Sequence, residues 1–357
     1  MIRALKRLAG SLLLDHPRFA WPLLVPRLAR RICRSWLDFR NRGQRLLRAP
    51  DGPGYDCDWR WSSDLNLTRS APPLARRLIA AALAKHPVRL EPSTATPADG
   101  PLVSFIIGHR GAERVPHLLA TVRSILAQSG AHVECLLVEQ AWEPTLTGRL
   151  PARVRHLHTR PPTPDMPYAR AWAFNRGARE ARGDVLVFHD NDILVPADYA
   201  AELVRLTGRG YEAARLQRYV FYLDAHDTDA LFRTGALPRR LTPELARQNC
   251  DGGTLAVRRD AYFALGGHDE TFIGWGGEDN EMFDRCRTLK CYPFGYLPFL
   301  HLYHAPQPGH GAANPNTAHL EARLRLPARQ RVAELVRRGF GAPEGPALLL
   351  PVASSTC

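Results

Sequence analysis

Residues 185–192 read VLVFHDND, and the fold class turns on that stretch. Val185, Leu186, Val187 and Phe188 form an apolar run between Arg182, Gly183 and Asp184 on one side and Pro196 on the other, which is the pattern of a buried strand. The polar residues follow at its carboxyl end. In an open α/β sheet ligands bind beyond the carboxyl ends of the strands, so Asp190 and Asp192 stand where a site belongs. Two carboxylates one residue apart repel each other unless a cation lies between them. An oxygen-rich pair suits Mg2+ or Mn2+, ions that also bridge phosphates. The plain alternative is an Asp-rich turn after a strand.

Working outward, the flanking sequence alternates strands and helices. Val103 to Ile107 reads as a strand, Gly108 to Gly111 as a turn, Val115 to Gln128 as a helix and His132 to Val138 as the next strand, ending at Glu139 and Gln140. A helix is expected from Tyr168 to Ala181, with Asn175 and Gly177 inside it, and another from Ala197 to Thr207. A strand is expected over Ala213 to Leu223 and a polar excursion over Asp224 to Gln248. This alternation predicts a mostly parallel central sheet flanked by helices. Neither GxGxxG nor GxxxxGK[ST] occurs, which argues against a dinucleotide site or a P-loop. A phosphate would then be held by a metal and Arg110.

Farther on, residues 250–286 are rich in glycine, and Gly274, Trp275, Gly276 and Gly277 have the composition of a mobile loop carrying an aromatic plate. Glu278, Asp279, Asn280 and Glu281 come next, with Met282, Phe283 and Cys286 at helical spacing. The acids therefore sit at a helix amino terminus, where simple capping would also favour them. An apolar strand over Tyr292 to Leu302 ends in HLYH, which sets His301 and His304 three residues apart. One helix is expected over Thr317 to Arg338, followed by a loose tail.

The totals bound the rest. A chain of 357 residues, 45% hydrophobic and 23% charged, has the composition of an ordinary soluble globular protein. Its seven cysteines include no CxxC pair, which suits free thiols in a reducing compartment better than disulfides or zinc. Of the net charge of +13, residues 1–48 carry +10, with twelve Lys or Arg against Asp15 and Asp38. No apolar run reaches the length of a membrane span, and no convincing signal peptide is present. The basic segment could lie on an anionic membrane surface with Trp21, Trp36 and Phe39 dipping in, or pack on the main domain. Nucleic-acid binding has no recognition motif to support it. Trp59 and Trp61 read as packing residues. The divisions expected are a basic amphipathic extension over 1–99, a catalytic domain over 100–306 and a helical extension over 307–357, in a cytoplasmic protein with peripheral membrane association through residues 1–48.

The motifs together resemble the GT-A glycosyltransferases, most closely the β-1,4-galactosyltransferase group and bacterial family 2-like relatives. FIIGHRG (105–111) is similar to the strand and turn that receive the UDP moiety, YARAWAFNRG (168–177) to a segment below the nucleotide, and HDND to the DxD motif. GGHDETFIGWGGEDNEMFDR (266–285) is similar to the GWGGED block, and HLYH stands at the later metal ligands. The resemblance implies a GT-A (nucleotide-diphospho-sugar transferase) α/β fold and an inverting, metal-dependent transfer of Gal or GalNAc from a UDP-sugar to a saccharide acceptor in surface glycan synthesis. It implies Mn2+ or Mg2+ on Asp192, His304 and His301, with Asp190 at the ribose or the sugar. Arg110, Tyr168 and Arg170 would stand around the nucleotide diphosphate, Glu139 at the nucleoside, and Gly253 beside the donor. Asp279 is the implied base, Glu278 the acceptor holder and Trp275 the donor cover. Cys250 would leave room at the donor sugar's C2 substituent. Gly108, His109 and Asn280 depart from the usual pattern, the first two at the uracil side and the last at the acceptor side. A retaining UDP-GalNAc-type transferase and a non-catalytic glycan-binding module of the same fold are the alternatives.

Overall fold

The computed structural model of the protein describes residues 36–41, 43–59, 62–92, 100–305 and 314–346. The chain opens with β1 (Leu46–Arg48), β2 (Tyr55–Cys57), β3 (Ser63–Asp64), α1 (Asn66–Ser70) and α2 (Pro72–Lys85). Next come β4 (Leu102–His109), α3 (Val115–Leu126), β5 (His132–Gln140), β6 (Val154–Thr159), α4 (Arg170–Glu180), β7 (Val185–His189), β8 (Ile193–Leu194) and α5 (Tyr199–Gly208). They lead into β9 (Ala213–Ala214), β10 (Gln217–Leu223), α6 (Ala225–Thr234), β11 (Pro243–Gln248), β12 (Thr254–Arg258), α7 (Arg259–Ala264), α8 (Glu278–Cys286), β13 (Cys291–Tyr292) and β14 (Leu297–His301). Helices α9 (Pro315–Arg325) and α10 (Ala328–Arg338) follow.

Seven strands form the large sheet in the order β13-β9-β12-β7-β4-β5-β6. Strands β7, β4, β5 and β6 are mutually parallel, and β12 runs against both of its neighbours. Side chains alternate across the sheet. Val103, Phe105 and Ile107 of β4 pack with α3, α5 and residues of β10 and β14, whereas Ile106 packs with α4, α7 and α8 on the opposite face. Burial on both faces explains why these strands read as unbroken apolar runs.

A second sheet, ordered β3-β11-β10-β14-β8, takes over what the sequence reads as single strands. The run from Ala213 to Leu223 divides into β9 in the large sheet and β10 in the small one, and the run from Tyr292 to Leu302 divides in the same way into β13 and β14. Apolar continuity could not reveal these crossings, because both sheets bury their strands. The polar excursion after Asp224 holds α6, whose amino terminus is capped by the Asp224 carboxylate accepting from Asp227 N at 2.7 Å, and β11. The single carboxy-terminal helix is two, parted at Pro327, which lacks the amide proton to continue α9.

For the described end of the basic segment, the packed alternative holds at two of the three aromatics: Trp36 and Phe39 are 3% and 2% exposed and pack with α2 and the small sheet. The Tyr219 hydroxyl faces the Trp36 carbonyl at 3.2 Å, and Arg218 Nε donates to the Leu37 carbonyl at 2.9 Å. Trp21, Trp61 and the last eleven residues lie outside the described residues. Among the described residues no helix is long and apolar enough to cross a membrane.

Gly177 sets how closely α4 lies on the large sheet. A Cβ there would drive into Cγ2 of Ile106 and meet Cγ2 of Val138 at 3.1 Å. Both neighbours are fully buried and β-branched, so they cannot rotate away. Gly177→Ala should therefore lower stability by about 1–2 kcal/mol in urea unfolding, overpacking outweighing the helical preference for alanine. A stabilised variant would show that the spacing of α4 is not fixed there.

Candidate active site

The site forms where the chain leaves β7 and crosses to the small sheet. His189 ends β7, and residues 190–192 bridge to β8, whose Ile193 pairs with His301 of β14. Leu302 N donates to the Asp192 carbonyl at 2.8 Å, and Asp190 N to the Gly253 carbonyl at 2.9 Å. The acidic segment is thus held by backbone on both sides, one bond to each sheet.

This register brings Asp192, His301 and His304 together, with one ligand-capable atom from each lying within 4.8 Å of the others. Asp192 Oδ2 is 3.4 Å from His304 Nε2, and Oδ1 is 3.8 Å from His301 Nε2. Asp192 is only 7% exposed, and its Oδ1 is a buried oxygen without a hydrogen-bond partner. Arg114 Nη1 donates to Oδ2 at 3.2 Å. Burial works to raise the Asp192 carboxyl, but His301, His304, Arg114 and His117 together hold it below its ordinary value. Burial also pulls His301 down to about 4, so its imidazole is neutral at physiological pH and free to ligate. His301 stacks on Tyr222 with centroids 4.2 Å apart, which fixes the ring plane. A buried, unsatisfied carboxylate oxygen facing two imidazoles is a donor set that could hold a divalent cation. The mixed O and N ligands suit a first-row transition ion such as Mn2+ better than Mg2+.

The second cluster lies on the other side of Asp190. Arg170, first residue of α4, donates through Nε to Asp190 Oδ1 at 2.9 Å, and through Nη1 to Glu278 Oε1 at 3.0 Å and Asp279 Oδ1 at 2.6 Å. One guanidinium serves three carboxylates. Burial, with their mutual repulsion added, raises the carboxyls of Asp190, Glu278 and Asp279, that of Asp190 to about 6. The amino terminus of α8 favours the two acids there. Asp279 Oδ2 points at Gly252, where a Cβ would stand 2.8 Å from it; the absence of a side chain keeps that oxygen accessible. Gly274, Gly276 and Gly277 all have φ between 82° and 95°, a conformation that only glycine adopts without strain. Between them Trp275 is 43% exposed, its carbonyl accepting from Asn314 Nδ2 at 2.7 Å and from Asn316 Nδ2 at 3.1 Å.

The sequence model of glycosyltransferase like family 2 matches residues 104–305, more than half of the chain. The chain belongs to this family. Its mixed α/β fold, with a mostly parallel central sheet flanked by helices, is thus that of a member of a glycosyltransferase family. No curated protein sequence matches it. Among solved structures it is distantly similar to GalNAc-T7 with UDP, GalNAc and Mn2+ (TM-score 0.44, 16% identity, 65% of this chain and 50% of that one). It is similar at the same distance to the catalytic domain of Drosophila β1,4-galactosyltransferase 7 in complex with xylobiose (TM-score 0.40, 16% identity, 62% and 80%). The chain thus spans half the length of the GalNAc-T7 structure.

Not every residue expected in the transferase's site is free to act there in this structure. Arg110, expected at a diphosphate, donates instead to the carbonyls of Met166 and Pro164 and so braces that loop. The guanidinium beside the metal-competent triad is that of Arg114, which nothing in the sequence distinguished from its neighbours. Glu139 is almost fully buried with both oxygens engaged, Oε1 by Thr145 N at 2.7 Å and Oε2 by His156 at 2.8 Å. It holds the turn after β5 rather than offering a free carboxylate. Tyr168 is half-buried with its hydroxyl packed against Gly108, and its carbonyl accepts from Gly274 N at 2.9 Å, which ties it to the tryptophan loop. Asn280 donates to Asp251 Oδ2 at 3.0 Å, and Arg215 binds the other oxygen. Sequence pattern gave no sign of Asp251 as a further carboxylate near Asp279.

The raised carboxyl of Asp190 has a signed consequence. Folded Asp190 keeps its proton up to about pH 6, whereas the unfolded chain releases it near about 4, so rising pH across that window costs the folded state stability. Asp190→Asn lacks this penalty. Its melting temperature relative to the unmutated protein, measured in EDTA, should climb as pH rises from about 4 to about 7. A pH-independent difference would mean that Asp190 ionises normally.

Proposed function

We propose that the protein transfers a hexose, galactose or N-acetylgalactosamine, from a UDP-sugar to a saccharide acceptor with inversion at the anomeric carbon, in surface glycan assembly. The observation that carries this reading is the segment 190–192. On one side it holds a triad fit for a divalent cation, and on the other a carboxylate cluster ending in an accessible oxygen of Asp279. Mn2+ bound by Asp192, His301 and His304 would neutralise the charge that develops on the departing diphosphate.

The chain's own residues supply the remainder. Arg114 adds a fixed positive charge beside the triad, where the diphosphate would lie. Asp279 accepts the acceptor hydroxyl's proton on Oδ2 as the hydroxyl oxygen bonds to the anomeric carbon and the carbon–oxygen bond to UDP breaks. Its raised carboxyl makes it a stronger base than a solvated aspartate. Arg170 holds Asp279 through Oδ1 and leaves Oδ2 for the proton. Glu278 orients the acceptor from the same helix turn, and Asp190 meets the ribose or the donor sugar. Trp275, on its glycine-hinged loop, covers the donor and excludes water. Cys250 is small enough to admit an N-acetyl group near the sugar's C2.

A panel of UDP-Gal, UDP-GalNAc, UDP-Glc and UDP-GlcNAc with Mn2+ and a set of methyl glycosides and disaccharides, scored by UDP release and product NMR, tests this. An inverted anomer is expected; a retained one would move the enzyme to a retaining mechanism, and no turnover of any donor would leave a glycan-binding role. Asp279→Asn should keep UDP binding and lose about 10²–10⁴-fold in kcat. Asp192→Asn should abolish the bound Mn2+ signal in electron paramagnetic resonance titrations. Unimpaired Mn2+ binding in that variant would remove the triad from the metal role.

A further inference from the structure

The segment around β2 is built into the wall beside Asp279. Asp56 lies 3.6 Å from Arg215, whose Nη1 binds Asp251 Oδ1, while Asp251 Oδ2 accepts from Asn280, the residue after Asp279. Asn249, held at φ 56° where non-glycine residues are uncommon, donates through Nδ2 to the Trp59 carbonyl. Two independent links therefore fasten residues 56–59 to the loop 249–252, whose far end, Gly252, faces Asp279 Oδ2. Three peptide steps separate Asn249 from Gly252, at most about 11 Å between their Cα atoms, so the Trp59 backbone is tied to the same short loop that faces the proposed base.

Trp59 is 52% exposed, whereas Trp36 and Trp172 are buried in the fold. It is therefore not the packing residue its sequence context predicts. A half-open indole on an anchored backbone presents a rigid apolar face with little conformational entropy to lose, a feature of ligand-binding surfaces.

We propose that Trp59 is a stacking platform for the acceptor, taking the sugar ring next to the one whose hydroxyl faces Asp279. The enzyme then favours acceptors of at least two rings. The inference rests on the transferase reading above.

The test compares monosaccharide and disaccharide acceptors, taken as methyl glycosides of glucose, galactose, N-acetylglucosamine and xylose and their β-linked disaccharides, in the native enzyme, Trp59→Ala and Trp59→Phe, each with Mn2+. Trp59→Ala should raise the disaccharide KM about 5- to 10-fold. The donor KM, the acceptor-free hydrolysis of UDP-sugar and the monosaccharide KM should not move, and Trp59→Phe should recover most of the loss. A disaccharide KM unchanged in Trp59→Ala, or a donor KM that rises with it, overturns the stacking role while leaving the transferase reading intact. A native enzyme that turns over no donor with any of these acceptors overturns both.

Discussion

Asp192 is a carboxylate taken almost wholly out of water, and such a group persists only where positive charge or ligating chemistry compensates for its lost hydration. The surrounding elements are arranged to meet that demand. Arg114 arrives from the turn after β4, His301 from the end of β14 and His304 from the segment beyond it. With His301 kept neutral by its own burial, Arg114 is the fixed cation at the carboxylate, and Oδ1 remains unsatisfied. The room left at Oδ1, facing the two imidazoles, is thus a property of the folded chain itself.

The same constraint explains why two sheets are needed. A single parallel sheet delivers the carboxyl end of β7 but offers no neighbouring strand to carry histidines to Asp192. The crossing through residues 190–192 enters β8, and the antiparallel pairing of β8 with β14 sets His301 opposite Ile193. A slip of one residue would turn His301 to the other face of the sheet. Backbone bonds from Leu302 to Asp192 and from Asp190 to Gly253 make such a slip costly.

Arg170 plays the corresponding part for the second cluster, and its position depends on packing far from the chemistry. Helix α4 sits close on the sheet at Gly177. Asn175 Nδ2 reaches the His268 carbonyl at 2.9 Å and Glu270 Oε1 at 2.7 Å, and Trp172 Nε1 donates to the Ala342 carbonyl at 2.7 Å. Helix α8 is held from behind, since Glu281 is fully buried between Arg285 and Arg331, the latter from α10. Residues 315–338 therefore help to fix Glu278 and Asp279 although they carry none of the reacting groups.

The sequence by itself determined the alternation of buried strands and helices, the acidic pair at the carboxyl end of β7 and the glycine loop before an acidic helix start. Each is encoded locally, by hydrophobic periodicity or by residue types with special backbone freedom. It also put His301 and His304 on a short list of metal ligands, because two histidines after an apolar strand is a local pattern. It could not show that β9 and β10, or β13 and β14, belong to different sheets, since both sheets bury their strands and the apolar run is the same. Nor could it single out Arg114 as the cation beside Asp192, find Glu139 hydrogen-bonded on both oxygens, or expose Trp59. Those outcomes depend on which distant side chains compete for each group, and that competition exists only once the tertiary structure has brought them within hydrogen-bonding range.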